Sequence, residues 1–263
     1  MKTIGVIGTG NMGGAILQGW KDLEDIKLCA YDIDREKLDK IASCLKIEKK
    51  ENIAELINSS QYILLAVKPR QVKKLLKEHS SYLTPSHVII SICAGIKIKK
   101  IKKWAEKVSE VVRIMPNTPA LVGRGMFAIS FDQEVGDTTK KEVKKLFEAL
   151  GSVFEMEEEY MDAYTALIGS GPAYIIYFLE ALIEAGVSIG FPRDVSTSMV
   201  KELTSGTVKM INEMPKTLYE LREMVTSPAG TTIAALNHLD RQAVRGSIID
   251  AVNRAWQRSK ELG

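Results

Sequence analysis

The sequence predicts an α/β region followed by a region that is helical throughout. In the first part, short apolar runs alternate with amphipathic segments, which is typical of a mainly parallel sheet with helices on its faces. From about Glu157 onward every periodic segment has helical spacing, and the strand-like runs stop. We therefore predict an α/β domain over residues 1–157 and an all-α domain over residues 158–263.

The alternating region contains eight predicted strands joined by helices. Two continuous apolar runs, 62–67 and 88–95, indicate strands that are buried on both faces of a doubly wound sheet. The predicted strands are 3–8, 26–31, a weak one from Ile47, 62–67, 88–95, one from Val111, 126–131 and 152–156. The predicted helices are 11–23, 35–45, a short one through Ile57 that Asn52 caps, 72–82, 97–104 and 138–150.

The helical region contains one segment, 163–189, that is apolar over most of its circumference. A helix of that kind must be buried on several sides, and in a chain of 263 residues this indicates that a partner subunit covers it. The run 169–172, Gly-Ser-Gly-Pro, interrupts it early and predicts a kink or a break. Further helices are predicted at 192–214, 218–225, directly after the loop 227–232, and at 241–262.

A glycine-rich loop joins the first strand to the first helix. Its glycines are Gly8, Gly10 and Gly13, in the spacing G-x-G-x-x-G. Gly8 permits the tight turn, Gly10 has no Cβ to keep the backbone away from a phosphate, and Gly13 lets helix and strand pack closely. The helix N-terminus offers N–H groups and a partial positive charge to an anion. The loop predicts a Rossmann-like domain that binds a nicotinamide or flavin dinucleotide; the alternative is a tight turn without a ligand.

Asp32 ends the second strand, 19 positions after Gly13. A carboxylate at about this spacing bonds the ribose hydroxyls of a dinucleotide, and it favours NAD(H) because a 2′-phosphate would face like charge. Asp34 strengthens this preference, whereas Arg35 is a residue that meets a 2′-phosphate. The alternative is that Asp32 is only a turn residue.

Two further strand ends are candidates for the same site. The strand 62–67 runs into Lys68-Pro69, and ligands bind at the carboxyl ends of strands in doubly wound sheets. The strand 88–95 ends with Ser91, Cys93 and Gly95, which are small enough to let a flat ring approach. We interpret 68–69 as a loop at the edge of the cofactor site, with a solvated loop as the alternative.

The loop 227–232, Ser-Pro-Ala-Gly-Thr-Thr, is the second stretch with distinctive chemistry. Pro and Gly hold its backbone while three hydroxyls converge with the first N–H groups of the following helix. This combination predicts a preformed carboxylate site. The alternative is an elaborate helix cap.

The composition excludes several classes of protein. Hydrophobic residues make up 45% of the chain and charged residues 26%, so the chain has the ordinary balance of a soluble globular protein. The net charge of +3 does not call for nucleic acid or anionic lipid. The lysine-rich run 97–104 carries Ile98, Ile101 and Trp104 at helical spacing, so we interpret it as a solvated amphipathic helix.

Neither cysteine nor histidine indicates a disulfide framework or a metal site. Cys29, Cys44 and Cys93 are too few and too scattered, and neither His79 nor His87 has a second ligand at metal spacing. The N-terminus has no basic segment or cleavage site, and the longest clean apolar runs are about half a membrane span. We predict a cytoplasmic protein without a metal, a nucleic-acid partner or a membrane partner.

Five segments of the chain together resemble the pyrroline-5-carboxylate reductase family. They are 8–13 (GTGNMG), 66–69 (AVKP), 113–120 (RIMPNTPA), 169–174 (GSGPAY) and 227–232 (SPAGTT). The resemblance implies an N-terminal Rossmann domain and a C-terminal helical domain that interlocks with a second subunit in a homodimer or a higher oligomer. It also implies hydride transfer from NAD(P)H to the C=N bond of 1-pyrroline-5-carboxylate, which gives L-proline in the last step of proline biosynthesis.

The resemblance also carries site residues onto this chain. The positions that match the family's cofactor contacts are Ile7, Gly8, Thr9, Gly10, Asn11, Met12, Asn52, Ala66, Val67, Lys68, Pro69, Ile92, Cys93 and Ala94. The positions that match its substrate loop are Ser227, Gly230, Thr231 and Thr232. Two positions depart from the family: Ala229 replaces a second Gly, and Asp32 stands where many members carry Ser, Thr or Asn and use NADPH. The cofactor is therefore NADP(H) or NAD(H), and Asp32 favours NAD(H).

The bond to be reduced suggests roles for the loop. A neutral imine is a poor hydride acceptor, and the loop contains no His, Asp or Glu to act as a strong acid. A cyclic imine is basic enough to be partly protonated near neutral pH, so orientation is the main requirement. Our hypothesis is that the helix N-terminus at 230–232 holds the carboxylate, with the Thr232 hydroxyl near the ring nitrogen and Ser227 beside it as the second catalytic candidate.

Two other functions share part of these features. A reductase of the β-hydroxyacid type has a Rossmann half and a helical second domain, but it relies on a Lys at the start of its long interdomain helix. This chain reads Gly-Ser-Gly-Pro there, at 169–172. A non-catalytic redox sensor that binds the dinucleotide does not need the loop 227–232.

Overall fold

The computed structural model describes residues 2–262. Within that range the chain divides into two compact units, one formed by residues 2–170 and 255–262 and the other by residues 171–254. These units reflect where the chain packs on itself. The domain boundary between residues 157 and 158 stays a prediction.

The first unit is built on a single sheet, in which the described residues form eight strands. The strands are β1 Lys2–Ile7, β2 Ile26–Tyr31, β3 Glu48–Lys49, β4 Tyr62–Leu65, β5 Val88–Ser91, β6 Glu110–Pro116, β7 Gly125–Phe131 and β8 Gly151–Glu155. Their spatial order is β3-β2-β1-β4-β5-β6-β7-β8, and each neighbouring pair is parallel except β6 and β7. The predicted α/β class and all eight predicted strands are confirmed.

Two strands end earlier than the sequence indicates. β4 ends at Leu65 instead of Val67, and β5 ends at Ser91 instead of Gly95. The carbonyl of Val67 accepts a hydrogen bond from the thiol of Cys93, so it does not continue the ladder. Apolar character therefore runs past the end of each strand into the loop that follows it.

Seven α-helices lie in the described part of the first unit that precedes residue 171. They are α1 Asn11–Trp20, α2 Arg35–Leu45, α3 Ile53–Asn58, α4 Pro69–Glu78, α5 Ile98–Ala105, α6 Asp137–Glu148 and α7 Met161–Tyr164. The side chain of Asn52 caps α3 as predicted, by accepting from the amide of Glu55 at 2.8 Å. α4 begins three residues earlier than predicted, because Pro69 suits the first turn of a helix.

Two apolar layers cover the two faces of the sheet. On one face, α1, α2 and α6 contribute Trp20, Leu38 and Phe147 to the buried cluster. On the other face, α3, α4 and α5 contribute buried apolar side chains such as Leu76 and Ile101. Helices on both faces of a mainly parallel sheet make this a doubly wound fold, which places binding sites at the carboxyl ends of the strands.

The second unit consists of helices. A π-helical turn at Thr165–Gly169 precedes the long helix α8 Gly171–Ser188, where the sequence predicts an interruption. It is followed by α9 Arg193–Glu213, α10 Leu218–Met224, α11 Thr231–Arg241 and α12 Val244–Leu262, whose last residues belong to the first unit. α8 and α9 pack closely, because the Ser196 hydroxyl donates to the carbonyl of Ile183 at 2.9 Å.

Helix α8 is rich in apolar side chains, yet several of these side chains are exposed in the described chain. None of the α8 side chains is buried, and Ile175, Ile176 and Tyr177 are each more than half exposed. By length and composition alone, Glu158–Ser188 is the one helical segment among the described residues that is long and apolar enough to cross a membrane. The core helix of a soluble protein passes the same test, so this observation does not assign the chain to a membrane.

Candidate functional site

A cavity of about 600 Å³ opens at the carboxyl ends of β1, β2 and β4. Its walls come mainly from the loop after each of these strands and from α4, with one residue each from α2 and α3. Seven predicted cofactor residues line it together: Ile7, Gly8, Gly10, Asp32, Ala66, Val67 and Lys68. Residues from three separate parts of the sequence therefore meet at the edge where a doubly wound sheet binds its ligand.

The three glycines of the first loop have different surroundings. Gly8 has φ +102, and a Cβ there would lie 2.7 Å from the carbonyl oxygen of Ala66. A Cβ on Gly13 would lie 2.1 Å from the carbonyl oxygen of Gly8. Among the described atoms none lies within 4 Å of a Cβ built on Gly10. Gly8 and Gly13 are thus required by the protein itself, whereas the space at Gly10 is open to a ligand.

The N-terminus of α1 faces this loop with its amides available. Gly10 is the N-cap residue, and in the described chain no side chain caps the helix. The first N–H groups of a helix have no partner within the helix and carry a partial positive charge. This end of α1 and the open space at Gly10 fit the pyrophosphate of a dinucleotide.

The Asp32 carboxylate braces the glycine loop. Its Oδ2 accepts from the Thr9 amide at 2.5 Å and from the Thr9 hydroxyl at 2.9 Å. Its Oδ1 accepts from the amide of Asp34 at 3.0 Å. Thr9 is buried, so these bonds hold an interior part of the loop. Asp32 therefore has a structural role that the sequence does not reveal, in addition to lining the cavity.

Two of the cations near Asp32, Arg35 and Lys37, have partners within the protein. The Arg35 guanidinium donates to the carbonyls of Lys50 at 3.3 Å and Glu51 at 2.5 Å, and its Cζ lies 5.4 Å from the centre of the Tyr31 ring. Lys37, which lines the cavity, has its Nζ 3.3 Å from a carboxylate oxygen of Asp34. Arg35 is thus held to the segment that precedes α3.

Other predicted cofactor residues do not line the cavity. These are Thr9, Asn11, Met12, Asn52, Pro69, Ile92, Cys93 and Ala94. The side-chain oxygen of Asn52 is used to cap α3. Ser91 and Cys93 are both buried, and the approach of a flat ring to this strand end stays a prediction.

The Cys93 thiol has a structural role. It donates to the carbonyl of Val67 at 3.2 Å and lies 3.4 Å from that of Leu65, so it ties the end of β5 to the end of β4. Burial raises the pKa of the Cys93 thiol to about 11. The thiol is therefore protonated at neutral pH and is not a nucleophile.

Several residues that line the cavity were not predicted from the sequence. They are Tyr31, Ile33, Lys37, Ile53, Arg70, Gln71, Lys74, Leu75, Glu78 and His79. Many of them lie on α4, which was predicted to begin after the site at residue 72. The Pro at position 69, read as a first-turn proline, was the available signal that α4 begins at the cavity.

The loop 227–232 forms a second preorganised helix start, in the other unit. Gly230 is the N-cap of α11, no described side chain caps that helix, and the Gly230 amide donates to the carbonyl of Ser227 at 3.1 Å. A Cβ on Gly230 would lie 2.4 Å from the Ser227 hydroxyl oxygen. Ala229 has φ +57, a left-handed conformation that costs a residue with a Cβ about 1 kcal/mol.

The described residues include no group of three or more His, Cys, Asp or Glu side chains placed to hold a metal ion. The chemistry of both loops is that of backbone amides and hydroxyls. These groups bind anions.

Relatives of known function cover almost the whole chain. A pyrroline-5-carboxylate reductase of Aquifex aeolicus is 33% identical over 260 residues, which is 98% of this chain and 97% of the relative. The chain belongs to the pyrroline-5-carboxylate reductase family. A Synechocystis member of the family is 35% identical over 99% of this chain and 98% of its own length.

Family models and solved structures agree with this assignment. Residues 158–262 match the model for pyrroline-5-carboxylate reductase dimerisation, and residues 3–95 match the model for NADP oxidoreductase, coenzyme F420-dependent. The crystal structure of a Plasmodium falciparum pyrroline carboxylate reductase with NADP bound is 32% identical, with a TM-score of 0.90 over 100% of this chain and 98% of that one. The predicted fold class, a Rossmann-like domain with a helical dimerisation domain, is confirmed.

The alternative function, a reductase of the β-hydroxyacid type, has support only from a similar fold. A 3-hydroxyisobutyrate dehydrogenase of Mycobacterium tuberculosis is 12% identical over 73% of this chain and 67% of its own, with a TM-score of 0.55. That likeness supports the Rossmann topology and says nothing about the reaction.

Proposed function

We propose that this chain reduces 1-pyrroline-5-carboxylate to L-proline with NAD(P)H, the last step of proline biosynthesis. The observation that carries the proposal is a pair of helix N-termini, α1 and α11, which both lack a side-chain cap in the described chain. One fits the pyrophosphate of a dinucleotide and the other the carboxylate of the substrate. Family membership over nearly the full chain connects these two anion sites to one reaction.

The residues proposed to hold the dinucleotide are those of the cavity and of the loops around it. Gly10 and the first amides of α1 would contact the pyrophosphate, and Asp32 would contact the adenosine ribose. When bound, the reduced nicotinamide supplies a hydride to the imine carbon. The imine nitrogen carries one proton from solvent, so the product is a secondary amine and the cofactor leaves as NAD(P)⁺.

The residues proposed to act on the substrate are those of the loop before α11. The amides of Thr231 and Thr232 would hold the carboxylate, and the Thr232 and Ser227 hydroxyls would orient the ring nitrogen. Because the loop has no carboxyl or imidazole group, the imine binds in its protonated form and the loop mainly fixes its orientation.

The test is the change in nicotinamide absorbance when the purified chain is mixed with 1-pyrroline-5-carboxylate and either NADH or NADPH. We expect oxidation of the cofactor and formation of proline in equal amounts. A folded chain that binds dinucleotide but oxidises neither cofactor would contradict the reductase proposal and favour the redox sensor.

We infer further that NADH is preferred over NADPH. Two contacts support this preference. The Asp32 carboxylate lines the cavity and is held by Thr9, so a 2′-phosphate bound beside it would meet like charge, and Arg35 is held by the carbonyls of residues 50 and 51. The ratio of kcat/KM for the two cofactors measures this directly, and a ratio in favour of NADPH would contradict it.

We also propose that the chain is a cytoplasmic homodimer, or a higher oligomer of such dimers, formed through its domain 158–263. The support is the match of residues 158–262 to a dimerisation model together with the apolar exposure of α8. Sedimentation equilibrium should give a mass of twice 29.1 kDa or a multiple of it. A monomer that needs detergent to stay in solution would instead point to a membrane partner for α8.

A further inference from the structure

The segment 113–120, RIMPNTPA, is distinctive in sequence, yet in the described chain none of its residues lines the cofactor cavity. Its first residue, Arg113, lies in β6 and is only 4% exposed. Its guanidinium Nη1 lies 3.0 Å from Oε1 of Glu158, in the 3₁₀ turn that follows β8. A buried guanidinium needs such a counter-charge, and the Glu158 carboxylate supplies it for Arg113.

The same carboxylate oxygen has a second donor. Oε1 of Glu158 also accepts from the amide of Ile98 at 2.8 Å. Ile98 is the first residue of α5, so Glu158 places a negative charge at the N-terminus of that helix. One oxygen atom thus joins the middle of β6 to the start of α5.

The start of α5 is also the end of the loop 92–97. That loop contains Ile92, Cys93 and Ala94, which match the family's cofactor contacts but do not line the cavity. Its beginning is fixed by two bonds: the Cys93 amide donates to the Ser91 hydroxyl at 3.3 Å, and the Cys93 thiol donates to the carbonyl of Val67. Its far end is fixed by Glu158.

We propose that Glu158 is a positioning residue for the cofactor loop 92–97, and that Arg113 holds its carboxylate in place. The proposal rests on the proposed function, because the role of this loop in dinucleotide binding belongs to that proposal. Glu158 itself acts only through the Ile98 amide. Removing its carboxylate frees the end of the loop and leaves Arg113 without its partner.

The experiment compares Glu158→Ala and Glu158→Gln with Glu159→Gln in the full chain. Glu159 is the exposed neighbour, so its substitution removes the same charge one residue further on. Binding of NADH and NADPH is followed by nicotinamide fluorescence without imine, and kcat and both KM values are measured with imine. Hydrogen exchange of peptides that cover 92–100 reports on the loop directly.

For Glu158→Ala we expect dinucleotide binding to weaken about tenfold, with the KM for the imine within about twofold, because a hydrogen bond to a charged group is lost. Exchange in 92–100 should accelerate while the peptides of β1 and β4 keep their protection. Glu158→Gln keeps one acceptor oxygen and should recover most of the binding, and Glu159→Gln should match the parent chain.

Other results would overturn the proposal. Unchanged dinucleotide binding in Glu158→Ala would show that the cofactor loop does not depend on Glu158. Equal increases in both KM values together with faster exchange across the whole sheet would show a role in general stability. If Glu158→Ala does not fold, Glu158→Gln decides: faster exchange confined to 92–100 together with weaker dinucleotide binding supports the proposal, and weaker binding with parent-like exchange in 92–100, or loss of protection throughout the sheet, overturns it. A parent chain that binds neither dinucleotide would instead defeat the proposed function.

Discussion

The two helix starts proposed to bind anions are built in different ways. The start of α1 is held by the sheet: Gly8 lies against the chain at Ala66, Gly13 packs on Gly8, and Thr9 is bonded to Asp32. The start of α11 is held locally, by the bond from Gly230 to Ser227 and by the left-handed Ala229. The cofactor half is thus fixed by contacts from distant parts of the sequence, and the substrate loop by its own backbone. The start of α1 should therefore lose its function when the packing around it is disturbed. The start of α11 should lose its function when a single side-chain group is removed.

The largest effect should come from Gly13→Val. The new side chain has no space beside the Gly8 carbonyl, so the glycine loop must move and dinucleotide binding should fall more than about a hundredfold. Fluorescence titration with NADH measures this loss. Gly10→Ala is the matched control: its methyl meets no protein atom among those described, so the melting temperature should stay at the parent value while binding weakens. Parent-like binding by Gly10→Ala would mean that the ligand does not approach the loop there.

Next in size is Thr232→Ala. Loss of the hydroxyl proposed to orient the ring nitrogen should lower kcat/KM for the imine about thirtyfold, through a lost hydrogen bond in the transition state. Steady-state kinetics with varied imine measures this, and binding of NADH should not change. Thr232→Ser restores a hydroxyl and should restore most of the activity. Equal kcat and KM in Thr232→Ala and the parent chain would remove Thr232 from the mechanism.

A smaller change is expected for Asp32→Asn. This substitution keeps one acceptor oxygen, which can face Thr9, but removes the negative charge, so the ratio of kcat/KM for NADH to that for NADPH should fall about tenfold. Asp22→Asn removes an exposed charge away from the cavity and should leave the ratio unchanged. An unaltered ratio in Asp32→Asn would show that Asp32 only holds the glycine loop and does not select the cofactor.

The smallest effect belongs to Ala229→Gly. Glycine adopts a positive φ without steric cost, so relief at this position should stabilise the fold by about 1 kcal/mol and raise the melting temperature by about 2 °C. Ala243, with φ +51, lies outside the substrate loop, and Ala243→Gly should give a similar shift. A change in KM for the imine in the first variant alone would show that the methyl of Ala229 contacts the substrate.

The contrast between the two helix starts also explains how much the sequence predicts. The eight strands, the glycine loop and the short helix capped by Asn52 follow from local patterns of apolar spacing and capping, and the structure contains all of them. The partners of Asp32, Arg35 and Cys93 depend on which strand ends become neighbours, and one sequence gives no signal for that. The pairing of Arg113 with Glu158 joins positions 45 residues apart, so it too appears only in the fold.

The bond between Thr9 and Asp32 has a consequence for how such a protein changes over generations. A lineage that moves toward the phosphorylated cofactor by replacing Asp32 with a residue that has no side-chain acceptor also loses the acceptor for a buried amide and a buried hydroxyl. The two positions are therefore expected to change together, with a new acceptor arising for residue 9 or a smaller residue replacing Thr9. A cofactor exchange by that route takes at least two steps, and the first of them lowers the stability of the loop, whereas Asn at position 32 keeps an acceptor for residue 9.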